Sequence, residues 1–256
     1  MCGKWNAIEL PNDDPVDLKK EVGVRAVIVY DNNAHSHGLT TAWGFSAVIE
    51  TGSETILFDT GGEGEILLRN MKSLYIDPTG IDAVILSHNH WDHVGGLRSF
   101  LDVSGPMPVY IPPEFDRGFR DPIRGRCDLL EVSEPGELFQ GVFATGTVGT
   151  GIPEQGVIFQ SEDMAILFTG CAHPGVVEMV AAGLRIQTLP VSSVVGGFHL
   201  KDTDPDGIED VTDGLKNLGV NRAGPCHCSG DNARNLFRRV FDDGYIPVGV
   251  GMHLEF

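Results

Sequence analysis

The sequence predicts a mixed α/β (α+β) fold of four layers, αββα, in which two stacked β-sheets lie between outer helices. Two observations support this prediction. Short runs rich in β-branched residues alternate with segments of helical periodicity along the whole chain, and this order occurs once in each half. No linker rich in Pro, Gly or Ser separates the halves, so we expect residues 1–256 to form one domain.

The individual elements follow from runs of Val, Ile, Phe and Thr, which favour strands, and from helical spacing of apolar residues. In the first half we predict strands at residues 25–30, 45–49, 55–59, 83–87 and 109–111, and a helix at 64–74. Residues 112–150 contain Pro112, Pro113, Pro122 and Pro135, so we expect a long irregular segment that covers a site. In the second half we predict strands at 157–159, 165–169, 193–195 and 248–251, and helices at 176–182, 207–217 and 232–241.

Composition restricts the partners of the protein. The 36 acidic and 18 basic residues give a formal net charge of −18, which repels a phosphate backbone, so we expect no nucleic-acid partner. Apolar stretches stay below the about 18 residues that a membrane span needs, and residues 1–6 lack the apolar run of a secretory signal. We therefore expect a cytoplasmic protein without a membrane partner. The odd number and irregular spacing of the cysteines favour free thiols or metal ligands over disulfides, at Cys2, Cys127, Cys171, Cys226 and Cys228.

A dense group of metal-ligating residue types follows the apolar strand at 83–87. It reads His88-Asn89-His90-Trp91-Asp92-His93 and is followed by two glycines that allow close backbone approach. His88 and His90 are two positions apart, so they face the same way as the strand ends. A helix beginning at Asp92 would direct Asp92 and His93 to a neighbouring point. The pattern predicts two ions about 3.5 to 4 Å apart, as in binuclear hydrolytic sites.

This His-X-His-X-Asp-His pattern resembles the signature of the metallo-β-lactamase superfamily, and Leu57-Phe58-Asp59-Thr60-Gly61 is similar to that family's early strand and turn. The resemblance covers essentially the whole chain and implies the αββα sandwich of that family. It also implies that Asp59 braces the histidine loop through hydrogen bonds that fix the imidazole tautomers. The alternative is an aspartate that caps a turn before Gly61.

The resemblance further implies ligands from later in the chain. In residues 169–175, Cys171 stands where the superfamily usually has a bridging Asp, and the separate His that most relatives supply before this strand is missing. We therefore expect His173 to complete the first ion with His88 and His90. A Cys171 thiolate suits the second ion because zinc accepts sulfur, although a buried Cys that packs as an apolar side chain is the alternative. His227 matches the last ligand motif and is assigned to the second ion.

Other candidate residues lie near these positions. Cys226 and Cys228 flank His227 and are expected to be wall residues. His199 follows two glycines at a strand end, which suits substrate contact or proton transfer, and a hydrogen-bonded rim histidine is the alternative. We expect no ligand role for His35, His37 and His253. Four arginines of the irregular segment could clamp phosphates or could be surface charge, namely Arg117, Arg120, Arg124 and Arg126.

The chain lacks a Gly-X-Ser-X-Gly elbow and a phosphate loop ending in Lys-Ser or Lys-Thr, so we expect the nucleophile to come from the metal. Two divalent ions are implied. Zinc is the expected metal, and iron or manganese would also suit a His-rich site with one carboxylate. Zinc lowers the pKa of bound water from about 15.7 to about 7. We expect Asp92 to orient the metal-bound hydroxide, while the second ion stabilises the developing oxyanion.

Three segments, 169–175, 196–200 and 225–230, resemble the subgroup that includes the archaeal 7,8-dihydropterin-6-yl-methyl-4-(β-D-ribofuranosyl)aminobenzene 5'-phosphate synthase. The resemblance implies transfer of a dihydropterin-methyl group from its diphosphate to an arylamine, and hence a small, phosphorylated substrate. Where that subgroup is expected to have Glu-His, this chain has Ala42-Trp43. The alternatives are hydrolysis of a small ester, lactone or phosphoester, and a metal-bound sensor or binding protein without turnover.

Overall fold

The structure is a computed structural model that describes residues 23–256, so Cys2 lies outside the described residues. The first sheet consists of β1 (Arg25–Tyr30), β2 (Ser46–Glu50), β3 (Thr55–Phe58), β4 (Ala83–Ile85), β5 (Pro108–Ile111), β6 (Asp128–Glu131) and β13 (His253–Glu255). Its spatial order is β13-β1-β2-β3-β4-β5-β6, and the strands from β3 to β6 run parallel.

The second sheet consists of β7 (Gly136–Phe139), β8 (Val142–Ala144), β9 (Val157–Ser161), β10 (Met164–Thr169), β11 (Val191–Gly197) and β12 (Arg222–Cys226). Its order is β12-β11-β10-β9-β8-β7, and β10, β11 and β12 run parallel. The helices are α1 (Gly64–Ser73), α2 (Trp91–Val94), α3 (Leu97–Ser104), α4 (Arg117–Ile123), α5 (Val176–Gly183), α6 (Pro205–Asn217) and α7 (Gly230–Phe241). Short 3-10 turns span Pro78–Gly80, His227–Ser229 and Asp242–Gly244.

The central strands β3 and β10 contain nearly continuous apolar runs because both of their faces are buried. In β3, Ile56 and Phe58 enter the core between the sheets, while Leu57 enters the core under α1 and α3. In β10, Phe168 lies between the sheets and Leu167 lies under the helices of the second half. Burial of each such side chain stabilises the fold by about 1.5 to 3 kcal/mol. These three cores form the four layers αββα, and the predicted fold class is confirmed.

Amphipathic helices complete the outer layers. α1 buries Leu67 and Met71 against the first sheet, and α7 buries Leu236 and Phe237 against the second. The helices predicted at 64–74, 176–182, 207–217 and 232–241 are confirmed to within two residues at each end. No helix in the described part of the chain combines the length and the apolar character that a bilayer crossing requires.

Two predictions about secondary structure are wrong. Residues 112–150 are not irregular: they contain α4, β6, β7 and β8. Pro112 follows β5 and Pro135 precedes β7, whereas Pro122 lies within the last turn of the short helix α4. The strand predicted at 248–251 is absent there, and β13 follows it instead. The backbone of Val250 exchanges hydrogen bonds with Asn33 and His35, and Gly251 has a φ of 86°, which ends the extended run.

Candidate metal centre

The chemically active side chains lie directly after the carboxyl ends of parallel strands. Asp59 follows β3 and His88 follows β4 in the first sheet, whereas Cys171, His199 and His227 follow β10, β11 and β12 in the second. Ligands of open α/β sheets commonly bind at the carboxyl ends of parallel strands. The topology therefore brings residues that are far apart in the sequence to one end of the sandwich.

The histidine loop connects β4 with α2, which begins at Trp91, one residue before the predicted helix start at Asp92. His90 has an extended backbone and its ring lies 4.6 Å from that of His88, while α2 carries Asp92 and His93. The His93 ring lies 4.3 Å from that of His88. His88, Asp92 and His93 are buried, and His90 is half-buried.

Asp59 fixes two of these rings. Its Oδ2 accepts hydrogen bonds from His93 Nδ1 at 2.7 Å and from Ser87 Oγ at 2.8 Å, and its Oδ1 accepts one from the Ser87 amide. Ser87 Oγ in turn accepts a hydrogen bond from His88 Nδ1 at 2.9 Å. A Cβ at Gly170 would lie 2.0 Å from Ser87 Oγ, so only glycine fits against this network. Because the Nδ1 atoms of His88 and His93 take part in this network, their Nε2 atoms are the ring nitrogens that face the cluster and could bind a metal.

Three residues of the second half join the cluster. The His173 ring lies 4.8 Å from that of His88 and 5.0 Å from that of His90. Cys171 Sγ lies 3.2 Å from His93 Nε2. His227 Nε2 lies 3.2 Å from Asp92 Oδ2, and its ring lies 5.0 Å from that of His93.

These side chains form two overlapping groups with the chemistry of a divalent metal site. In the groups His88, Cys171, His173 and His93, Cys171, His227, the candidate ligand atoms all lie within 4.8 Å of one another. The Nε2 atom of His173 is buried without a hydrogen-bond partner, which is unusual for a buried polar atom and is consistent with a metal-binding role. Imidazole, thiolate and carboxylate are the ligands that zinc prefers, so the residues fit the metals that the sequence implies.

A third candidate group connects Cys171 with two residues at the rim of the cluster. Ligand atoms of Cys171, His199 and Cys228 lie within 4.8 Å of one another, and the His199 ring is 4.3 Å from that of His173. Cys228, which we expected to be a wall residue, therefore lies beside the cluster. Its hydrogen bond with Cys171 holds the pKa of the Cys228 thiol well below its usual range and raises that of Cys171.

Glu154 is a buried residue of this site that the sequence did not indicate. Its Oε1 accepts hydrogen bonds from the amides of Gly170, Cys171 and Ala172 at 2.9 to 3.0 Å, and its Oε2 accepts one from the His173 amide at 3.0 Å. Burial raises the pKa of Glu154 to about 7, although these amides oppose the shift. No motif surrounds Glu154, because it acts through backbone groups of a distant loop.

Asp31 and Asn32 were also missed, and they orient His227. Asn32 Oδ1 accepts a hydrogen bond from His227 Nδ1 at 3.0 Å, and Asn32 Nδ2 donates to the His227 carbonyl at 3.3 Å. The buried Asp31 carboxylate accepts the His227 amide at 3.2 Å. Their position directly after β1 was a signal that could have revealed them, since the other site residues also follow strand ends.

The electrostatics of the metal-free cluster reflect burial and close charges. Burial lowers the pKa of His93, but the Asp59 carboxylate outweighs burial and raises that pKa to about 9. Burial raises the pKa of Asp92, but His227 and His93 outweigh it and lower that pKa to about 2. Burial and the nearby His199 lower the pKa of His173 to about 4. The site thus contains both an imidazole held as a cation and an imidazole held neutral.

Backbone strain is concentrated at the same place. Asp59, Ala172 and His199 each have a φ of 54°, and His227 has a φ of 46°. Such left-handed conformations are uncommon in residues other than glycine, and they often mark functional sites. Each of these four residues lies in a turn that directs a side chain into the cluster or braces one.

The structure does not bring the arginines to the cluster. Arg120 binds Glu131, Arg124 binds Asp121, and Arg126 binds Asp102, while Arg117 is exposed. The face of α4 that shares a groove with Asn89 and Trp91 carries Gly118, Phe119 and Pro122 instead. The predicted phosphate clamp at Arg117, Arg120 and Arg124 has no support in these contacts. His35, His37 and His253 are exposed and lie outside the three candidate groups.

Comparison with known proteins identifies relatives of the chain. A family model of the metallo-beta-lactamase superfamily matches residues 44–219. The chain is 31% identical over 265 residues to the 7,8-dihydropterin-6-methyl-4-(beta-D-ribofuranosyl)-aminobenzene-5'-phosphate synthase of Methanocaldococcus jannaschii, a match that covers 83% of this chain and 90% of that protein.

Solved structures agree with this match. A metal-dependent hydrolase of the beta-lactamase superfamily is similar with a TM-score of 0.77 and 26% identity, covering 91% of this chain and 99% of that chain. A metallo-beta-lactamase fold protein from Bacillus subtilis has a TM-score of 0.69 at 14% identity, covering 92% of this chain and 100% of that one. The second likeness concerns the fold alone.

Proposed function

The chain belongs to the metallo-beta-lactamase superfamily, and from this membership we propose that it is a metal-dependent synthase. The reaction joins a dihydropterin-methyl group, supplied as its diphosphate, to an arylamine that bears a ribofuranosyl phosphate. The observation that carries the proposal is the convergence of histidine and cysteine side chains at one end of the sandwich, with Asp92 in contact with His227. The similarity to the archaeal synthase supports the choice of substrates.

We assign the metal ligands from the distances in the cluster. The proposal places two divalent ions, for which zinc suits the donor set, on ligands that come from both halves of the chain. Cys171 Sγ belongs to both groups and would be available to either ion. His88, His90 and His173 would hold the first ion, and Asp92, His93 and His227 would hold the second.

Bound divalent ions would polarise the phosphoryl oxygens and stabilise the charge of the leaving diphosphate. The reaction breaks the bond between the methylene carbon and the diphosphate oxygen and forms a bond from that carbon to the arylamine nitrogen, which loses a proton. His199 is suited to accept this proton, because it is exposed at the rim beside His173 and a hydrogen bond with Cys228 raises its pKa. Asn32 and Asp59 keep the flanking imidazoles in fixed orientations.

A coupled assay tests the synthase proposal. The metal-loaded protein is incubated with a dihydropterin diphosphate and an aminobenzene ribofuranoside phosphate, and mass spectrometry follows the coupled product and released pyrophosphate. We expect equal amounts of both products, and no product from the His88→Ala variant. Metal-loaded protein that yields no coupled product would contradict the proposal.

Hydrolysis is the second candidate function, because the 26% identical structure is described as a metal-dependent hydrolase. In this alternative Asp92 orients the attacking water, and no amine is required. Pyrophosphate or phosphate released from phosphoesters at the same rate with and without the arylamine would favour hydrolysis. Release that depends on the arylamine concentration would favour the synthase.

A further inference from the structure

A second polar cavity lies behind the His227 side of the metal cluster. It has a volume of about 270 Å³ and shares the His227 ring as a wall with the cluster. The Trp43 ring lies 4.7 Å from the His227 ring and forms another wall. A molecule in this cavity would therefore lie beside the cluster without occupying the candidate ligand atoms. The cavity is also lined by Lys201, Gly230, Asp231, Asn232 and Arg234.

The residues that line the cavity carry a net positive charge, although the protein as a whole is strongly acidic. Lys201 Nζ lies 5.1 Å above the Trp43 ring, and among the described residues Lys201 has no carboxylate within ion-pair distance. The Arg234 guanidinium donates to the neutral oxygens of Asn33 and Val248, and its Nε is buried without a partner. Asp231 also lines the cavity, so the two cations leave one net positive charge. The net charge of the whole chain is −18, so this positive wall is distinctive.

The first turn of α7 adds backbone donors to the same wall. Ser229, which precedes α7, does not cap it, because Ser229 Oγ accepts the Phe198 amide at 3.0 Å. The first amides of an uncapped helix are unpaired and attract anions. Gly230 has a φ of 77°, and a Cβ there would lie 2.8 Å from Lys201 Cα, so the absence of a side chain lets Lys201 approach the start of the helix.

We propose that this cavity binds the phosphate monoester of the substrate, the group that remains intact in the reaction. Lys201, the first amides of α7 and Asn232 contact the phosphate, and Arg234 contributes charge from below. Trp43 and His227 form the wall between this cavity and the cluster, so a substrate held here by its phosphate would reach the cluster past these two rings. The inference rests on the proposed function for the identity of the substrate, whereas the anion site itself does not.

Direct binding tests the site without turnover. Calorimetric titration of the protein as purified with inorganic phosphate is compared with the Lys201→Met and Lys216→Met variants. Lys216, on α6, is a matched control, because its Nζ also lies over an aromatic ring, that of Phe241. We expect Lys201→Met to weaken phosphate binding about tenfold or more, as the loss of a charge-assisted hydrogen bond does, and Lys216→Met to leave it unchanged.

Two outcomes would overturn the inference. One is equal phosphate affinity in the wild type and Lys201→Met. The other is phosphate binding that a chelator abolishes and Lys201→Met does not alter, which would assign the anion to the metal ions. Binding that survives chelation and is lost in Lys201→Met supports the cavity.

Kinetics then connect the cavity with the substrate. The ratio of kcat/KM for the phosphorylated acceptor to that for its dephosphorylated form is measured in the wild type and in Lys201→Met. We expect the wild type to prefer the phosphorylated acceptor, and we expect this ratio to be about tenfold smaller in the variant. An unchanged preference contradicts the assignment to this phosphate. A wild type that binds phosphate through Lys201 but couples neither acceptor leaves the anion site intact and contradicts only the synthase proposal.

Discussion

Asp59 orients two of the three imidazoles in the histidine loop, those of His88 and His93. It holds His93 directly and His88 through Ser87, and both rings therefore direct Nε2 toward the cluster. A carboxylate in this position also raises the basicity of an imidazole ligand. The single buried acid thus sets the orientation of one histidine in each of the two proposed ligand groups.

Removal of one imidazole tests the ligand assignment. We expect His88→Ala to lose most of the bound metal and to lower kcat/KM more than about 100-fold, since even indirect partners of metal ligands contribute about 10- to 100-fold. His253→Ala is the matched control, because His253 is exposed in β13. Elemental analysis of both purified variants measures the metal. Full metal content in His88→Ala would refute the assignment.

The pair of His93 and Asp59 predicts a pH dependence of the metal-free protein. The folded pKa of His93 is about 9, above the ordinary value of 6.5. Its contribution to stability is therefore complete below about pH 6.5 and is lost as the pH rises through 9. We expect the free energy of unfolding of chelated protein to fall between pH 7 and pH 9. Denaturant unfolding at several pH values measures this slope. An equal slope in His93→Gln would show that His93 is not its source.

At the scale of elements, the turn after β10 depends on an acid from another segment. Residues 170–173 carry Cys171 and His173, and four of their amides donate to Glu154. A glutamine at this position offers only one acceptor oxygen. Its NH2 group, itself a donor, would face the backbone N–H donors of the turn. The turn should therefore lose its fixed geometry when Glu154 is replaced.

We expect Glu154→Gln to destabilise the protein by about 2 kcal/mol or more, because buried amides lose a charged acceptor. We also expect metal affinity to fall about tenfold, since Cys171 and His173 lose their support. Thermal unfolding and metal titration measure the two effects. Glu178→Gln on α5 is the control, because Glu178 is exposed. A variant with normal stability and metal affinity would show that the four hydrogen bonds are dispensable.

The elements differ in how well the sequence predicts them. β3 and β10 are continuous apolar runs buried on both faces, so their pattern is unambiguous. β12 was missed because it contains Gly224 and Pro225, which disfavour strands. It tolerates the proline because it is the edge of the second sheet. The 248–251 region was mistaken for a strand because Val248 and Val250 alternate with glycines, although their backbone bonds go to a loop.

At the scale of the molecule, the proposed ions join the two halves. His88, His90 and His93 come from the first sheet, whereas His173 and His227 come from the second. A ligand that binds only the folded state stabilises it by about 4 kcal/mol at 1,000 times its dissociation constant. For a chain of this size, each kcal/mol shifts Tm by about 2 to 4 °C.

We expect a chelator to lower the Tm of the wild type by about 10 °C and to have little effect on His88→Ala. Calorimetry with and without the chelator measures the shift, and addition of zinc should restore it. Equal Tm values for chelated and metal-loaded wild type would contradict a site that connects the halves.

The candidate site was predictable only where its residues are close in the sequence. The His88 to His93 cluster is a local motif, and Cys171, His173 and His227 were inferred through resemblance. Glu154 contacts backbone amides of a distant turn, so no sequence spacing reveals it, whereas Asn32 is marked only by its position just after β1. The positive cavity is likewise assembled from Trp43, Lys201 and Arg234, which adjoin only in three dimensions.

The parallel strands give the sandwich a front and a back. Their carboxyl ends carry the chemistry, while the exposed turn at Glu162 and Asp163 precedes β10, and residues 51–54 precede β3, at the opposite pole. A peptide tag inserted in either turn, or a fusion partner attached there, would leave the reactive mouth unobstructed. The molecule could therefore be tethered to a support by its back with its entrance facing the solution.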